Sequence, residues 1–228
     1  MTAARTPPLA TPAAHPRPGL RERKKIKTRA AIRDATYGLI REQGYDATTI
    51  EQIAERAEVS PSTVLRYFPA KEDIVLMDEY APILVAELRA RPAGEPWLDS
   101  LRQVFRTGIA LGAPAPAPAP DSTSTSVSAS EEAEVTRLRT TLMVEVPAVR
   151  TRMTENMSGT GRLLCQVIGE RTGRSPDGFE VRVHAMSLVA ALTEAALYWA
   201  EHGHEDDLGA LVDRALDVLE QGLAPGKP

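Results

Sequence analysis

Between Thr48 and Ile74 the sequence reads TTIEQIAERAEVSPSTVLRYFPAKEDI, and its punctuation leaves room for two very short helices with almost no core of their own. Gly44 ends a preceding helix as a C-cap would. Thr48 or Thr49 caps the next, with Ile50, Ile53, Ala54 and Ala57 on one face. Glu58 and Val59 form a tight connection. Ser60 caps again, and Pro61 takes the first helical position, where no N–H is needed. Phe68-Pro69 stops this helix barely two turns on. A helix that short is not stable alone, so its neighbours must hold it in place.

Two short helices joined by a tight turn form a helix-turn-helix, whose second helix enters the DNA major groove N-terminus first. Here Val59, Val64 and Phe68 suit the inward side, while Ser62, Thr63, Arg66 and Tyr67 share the outward side. Small Ser62 and Thr63 allow close backbone approach. Arg66 suits a bidentate pair with guanine. Tyr67 and Lys71 reach towards phosphates. Residues 1–29 carry eight basic residues against Glu22 alone, a net +7 that leaves −11 for the rest of a chain totalling −4. A basic arm on an acidic body is the distribution expected of a nucleic-acid binder, with Lys25 and Lys27 following the backbone or minor groove. The arm alone also fits a solvated, disordered tail.

The stretch 48–74 resembles the DNA-binding region of TetR-family transcriptional regulators, through its Thr-Ile start, Ile-Ala, Val-Ser, Thr-Val, aromatic-Phe pair and following Lys-Glu. The resemblance covers about residues 24–75 closely. It implies that Thr49, Ser62, Thr63, Arg66, Tyr67 and Lys71 contact a double-stranded operator. Two positions depart from the family pattern. Glu58 stands where glycine is usual, so the turn must hold a non-glycine residue where a left-handed backbone is expected. Leu65 and Arg66 stand where tyrosine is frequent, which implies a different base preference.

The rest of the chain reads as all-α, with about nine helices in two parts. Residues 1–22 form a disordered basic arm, 23–70 the DNA-binding domain, and 71–224 a domain for effector binding and dimerisation. A fourth helix is expected from Lys71 towards Arg89, kinked or broken at Pro82, and a fifth from Trp97 to Leu111. GAPAPAPAPDSTSTSVSAS, residues 112–130, cannot build a core and reads as a flexible insert. Helices follow over 131–145, from Pro147 to Arg171 with Gly173 closing, from a Ser175 cap with Pro176 first, and over 206–221. The segments VPAVRTRM and ERTGRSPDGFEVRVHAMSLVAAL are similar to regulators of the mycofactocin type, which implies a long apolar effector such as a fatty acyl-CoA.

The helix after Pro176 is apolar on nearly every side and must be buried. Resemblance to the family implies that the last two helices form a four-helix interface in a homodimer, through Leu188, Ala191, Leu192, Ala195, Leu211, Ala215, Leu216 and Leu219. An intramolecular core is the other reading of the same residues. Trp97, Phe105, Met143, Met153, Met157, Leu164, Cys165 and His184 are candidates for an effector pocket, Met adapting to varied ligands. Each also fits ordinary core packing. Aliphatic walls suit a flexible chain, and Arg102, Arg106, Arg150 and Arg152 are placed to meet the phosphates of an acyl-CoA or simply to be solvated. Cys165 is single, so no internal disulfide forms, and a reducing cytoplasm is the expected setting. His202 and His204 in HGHED suit either a metal or a solvated helix end; no metal and no cofactor is expected. No phosphate loop, HExxH, GxSxG or cysteine pair marks an enzyme, and no apolar run suggests a membrane span. The expected function is a ligand-responsive transcriptional repressor released from a palindromic operator by a small apolar or amphiphilic effector. An activator of the same fold, or a helical adaptor without DNA binding, is the alternative.

Overall fold

The connection at Glu58 shows how this sequence turns its corners. Helix α2 (Ile50–Arg56) ends with Val59 N–H donating to Ala54 O at 2.9 Å and Glu58 N–H to Glu55 O at 3.1 Å. That pair of bonds is a Schellman cap, and the residue it turns on usually lies in the left-handed region. Glu58 does so, with φ 54°, as the missing glycine required.

The computed structural model describes residues 20–77, 81–92, 94–112 and 126–222; among these there are ten helices and no strand. The chain divides into two compact units, 1–67 and 68–228. In the first, α1 (Leu20–Gln43) packs on α2, and α2 on α3 (Pro61–Tyr67). Ile32, Ala35, Tyr37, Leu39, Ile40, Ile53, Ala54 and Val64 form its buried set. Each fully buried large apolar side chain stabilises by roughly 1.5–3 kcal/mol, which is what holds so short a helix as α3. Gly44 closes α1 with φ 84°. Thr49 caps α2 through a reciprocal pair with Gln52, at 3.3 and 2.9 Å. Arg56 joins α2 to α1 through a bidentate bond to Glu42 at 2.8 and 2.7 Å. Helix α1 starts at Leu20, within the stretch 1–22 expected to be a disordered arm, and Lys25 and Lys27 lie on its first turns. Ile26, on the same first turns, is 54% exposed. The remainder of the arm, 1–19, lies outside the described residues.

The second unit contains α4 (Lys71–Val75), α5 (Ala81–Ala90), α6 (Trp97–Gly112), α7 (Ser126–Glu145), α8 (Pro147–Thr172), α9 (Phe179–Glu201) and α10 (Leu208–Gln221). Helix α9 is central and packs on α7, α8 and α10. Its buried face carries Val181, Ala185, Leu188 and Ala195, which join Leu101, Val104, Val167, Ile168, Leu211 and Leu216 in one core. Among the described residues α9 is also the one helix long and apolar enough to cross a membrane; only part of its apolar surface packs in this core.

Three expectations need correction. The helix expected from Lys71 towards Arg89, kinked or broken at Pro82, is broken, but the break falls before Pro82, which sits in the first turn of α5 where a missing N–H costs nothing. Ser175-Pro176 does not start α9. Ser-Pro-Asp-Gly instead makes a turn, with Gly178 N–H donating to Ser175 O at 3.0 Å, and Gly178 precedes the first helical residue. That turn packs hard on α8: a Cβ built at Gly169 would lie 2.9 Å from both Arg174 O and Pro176 Cγ. Finally, residues 126–130 of the expected insert belong to α7, while 113–125 lie outside the described residues.

Candidate functional site

In the first unit, Ser60 Oγ accepts from Thr63 N–H at 3.1 Å and lies 2.9 Å from the hydroxyls of both Ser62 and Thr63. This cap fixes the start of α3, the end that a groove-reading helix presents to bases. Val64 is fully buried beneath it. On the opposite side Ser62 and Arg66 are exposed, and Thr63 and Tyr67 are half-buried. The Arg66 guanidinium rests over the Tyr67 ring, 5.3 Å from its centroid. Thr49, the N-cap of α2, is exposed, as are Lys25 and Lys27 on α1. Lys71 opens α4 in the second unit and is half-buried. One outward residue was left off the expected DNA-facing set although its departure from the family pattern was noted: Leu65, 48% exposed beside Arg66. An exposed leucine on a short helix was the signal that could have found it.

The second unit holds a partly open cavity of about 340 Å³, lined by Leu76 just after α4 and by residues of α5, α6, α7, α8 and α9. Of the expected lining, Phe105, Met143, Met153, Met157 and Leu164 border it. Trp97, Cys165 and His184 do not. Trp97 lies in the first turn of α6 with Arg171 over its ring at 5.9 Å. Cys165 is one residue round α8 from Leu164, so it faces α9, where its Sγ lies 4.0 Å from Val181 O. His184 is half-buried on α9, and that burial pushes its pKa down. The sequence reading missed Leu84, Val85 and Leu88 on α5, and four polar groups: Arg139, Asn156, Thr160 and Thr193.

The four arginines considered for phosphates are already engaged. Arg102 reaches Asp217 and Glu220, at 2.7 and 3.2 Å, and also Asp213 O. Arg106 pairs with Asp213 at 2.7 Å. Arg152 grips Asp73 through two bonds, 2.7 and 2.9 Å, and also Glu155, and these carboxylates raise its pKa. Arg150 donates to the carbonyls of Met143 and Val144. They hold helices together and do not form an open anion cluster. The histidines of HGHED also have structural roles. His202 stacks on Tyr198 with ring centroids 3.8 Å apart, and His204 Nε2 meets Thr140 Oγ1 at 2.9 Å.

The expected dimer face also requires correction. Leu188, Ala195, Leu211 and Leu216 are buried within this chain's own core. Leu192 borders the cavity, Ala191 is half-buried, and Ala215 packs on the core. Leu219 is exposed. The exposed large apolar residues of α9 and α10 are Phe179, Val183, Met186, Tyr198, Val218 and Leu219.

The family described as bacterial regulatory proteins, tetR family, matches residues 32–76, and the MftR C-terminal domain matches 123–224. The regulator TcmR of Streptomyces glaucescens is 43% identical over 91 residues, 39% of this chain and 40% of that protein, so the match spans less than half of its length. Two solved structures share the fold, each with a TM-score of 0.53 and 22% identity. FadR of Thermus thermophilus, a repressor in complex with lauroyl-CoA, matches over 88% of this chain and 97% of its own. FadR of Bacillus subtilis, in complex with stearoyl-CoA, matches over 86% and 99%. With matches to both its halves and a helix-turn-helix of the expected geometry, the chain belongs to the TetR family of bacterial regulatory proteins.

Proposed function

We propose that the protein is a homodimeric transcriptional repressor that binds a near-palindromic DNA operator and leaves it when an acyl chain enters the cavity of the second unit. The observation that carries the effector class is the wall of that cavity: mostly Leu, Val and Met side chains, with Phe105 as the one aromatic among the described lining residues. Such a wall suits a flexible hydrocarbon and offers little aromatic surface for a flat cation. The volume falls within the usual range for small-molecule sites. The acyl-CoA complexes of the two FadR proteins support the same class. Arg66 reads a base, Ser62, Thr63 and Leu65 lie along the groove, and Thr49, Tyr67, Lys25, Lys27 and Lys71 meet the backbone. Val183, Met186, Tyr198, Val218 and Leu219 supply the dimer contact, and the protein works in the cytoplasm. Ligand binding lowers operator affinity by favouring a state in which the two recognition helices no longer match the grooves.

The test is a fluorescence-anisotropy titration of the full-length protein on its selected operator. Palmitate and palmitoyl-CoA, below their micellar concentrations, are expected to release the DNA. Release by a flat cationic dye, with no response to either acyl compound, contradicts the effector class.

A further inference from the structure

Arg139 differs from the arginines that bridge helices. Those have carboxylates or carbonyls within bonding distance, but Arg139 borders the cavity and its Nε is buried without a hydrogen-bond partner. A buried guanidinium donor left unsatisfied is costly, and a charged one is stabilised most by an oxygen acceptor, best an anionic one. Among the described residues no acceptor reaches that Nε, and one turn along α7 the wall continues with apolar Met143. The lining residues Met153 to Leu164 span about 16 Å along α8 at the usual helical rise, so Arg139 is the one charged group, beside the neutral Asn156, Thr160 and Thr193, on the described wall of an elongated, mostly apolar space.

We infer that Arg139 is the anchor for the polar end of the effector, donating to the acyl oxygen while the hydrocarbon chain lies along α8. This rests on the effector reading above and assigns its recognition residue. The shared chemistry is an acyl oxygen, found either as the carboxylate of a free long-chain acid or as the carbonyl of a thioester. With the four other arginines committed to intramolecular partners, Arg139 is what distinguishes an acyl group from a plain hydrocarbon. It explains why an arginine lies in the wall of an apolar cavity, where a leucine would bury more cheaply.

Two ligand pairs differing at that oxygen test the inference on the full-length protein: palmitate against 1-hexadecanol, and palmitoyl-CoA against S-hexadecyl-CoA, a thioether without the carbonyl. Affinity is read by displacement of a fluorescent fatty-acid probe. Wild type is expected to prefer the acyl member of at least one pair by tenfold or more, and the pair that discriminates identifies the source. Arg139→Met keeps the volume and is expected to abolish that preference while leaving 1-hexadecanol or S-hexadecyl-CoA binding within twofold. Should that variant melt early, Arg139→Gln serves instead; it keeps one donor without the charge and is expected to lose at least the preference for palmitate. A preference that survives either substitution, or no preference in wild type, overturns the anchor while the cavity reading stands. Failure of all four compounds to bind wild type overturns both.

Discussion

Replacing Glu58 by glycine is expected to stabilise the DNA-binding unit. Glu58 sits at φ 54°, exposed, as the pivot of the Schellman cap between α2 and α3. A left-handed backbone costs a non-glycine residue roughly 1–2 kcal/mol. Glycine avoids that cost but brings extra unfolded-state entropy worth about 0.4–1 kcal/mol. The net gain is therefore about 0.5–1 kcal/mol. By thermal melting followed by circular dichroism, that is about 2–8 °C if the unit melts alone and about 1–4 °C if the chain melts together. Glu58→Ala is the control, because alanine keeps the left-handed penalty and removes the charge. Equal gains from glycine and alanine would mean the charge, not the backbone, is responsible. A fall in melting temperature with glycine would refute the strain argument outright.

Arg66→Ala is expected to cost about 1–3 kcal/mol in operator binding and to relax preference at one base pair per half-site, read by competition against single-base operator variants. Val183→Glu, on the exposed stripe of α9, is expected to yield a folded monomer by light scattering, whereas Leu188→Ala, inside the core, is expected to lower the melting temperature. Burial lowers the pKa of His184 and, with Arg137 adding to it, of His204, below the ordinary 6.5. The folded state then binds fewer protons than the unfolded one in that range. Stability is fully present above the ordinary histidine value and falls as pH drops through it towards the folded values. Melting temperatures taken across that range should show the fall, and a His184→Gln, His204→Gln double variant should flatten it.

What the sequence revealed was local. Thr49, Ser60, Gly44 and Gly173 act on their own backbone neighbours, so their roles follow from residue type and spacing. The strained Glu58 followed from one absent glycine. What remained hidden depends on distant partners. Helix α9 is apolar all round, so its pattern has no phase to tell the core side, with Leu188 and Ala195, from the exposed side, with Val183 and Met186. The same ambiguity put Cys165 in the cavity when its neighbour Leu164 faces it. The Arg102 and Arg152 pairings join residues more than seventy positions apart, and no local signal marks them. Arg139 carries no local signal, because only the packing of α7 on its neighbours places it at the cavity.

The most direct test of the account is an unbiased selection of sequences bound by the full-length protein from a random duplex library. A dimer that places two copies of α3 in the major groove is expected to enrich a near-palindrome with half-site centres about 10 bp apart, or a multiple of that. An Arg66→Ala protein should enrich the same palindrome with one position per half-site degenerate. Recovery of no sequence above background at moderate salt, or the same fully specified motif with and without Arg66, would contradict the claim that this helix reads DNA.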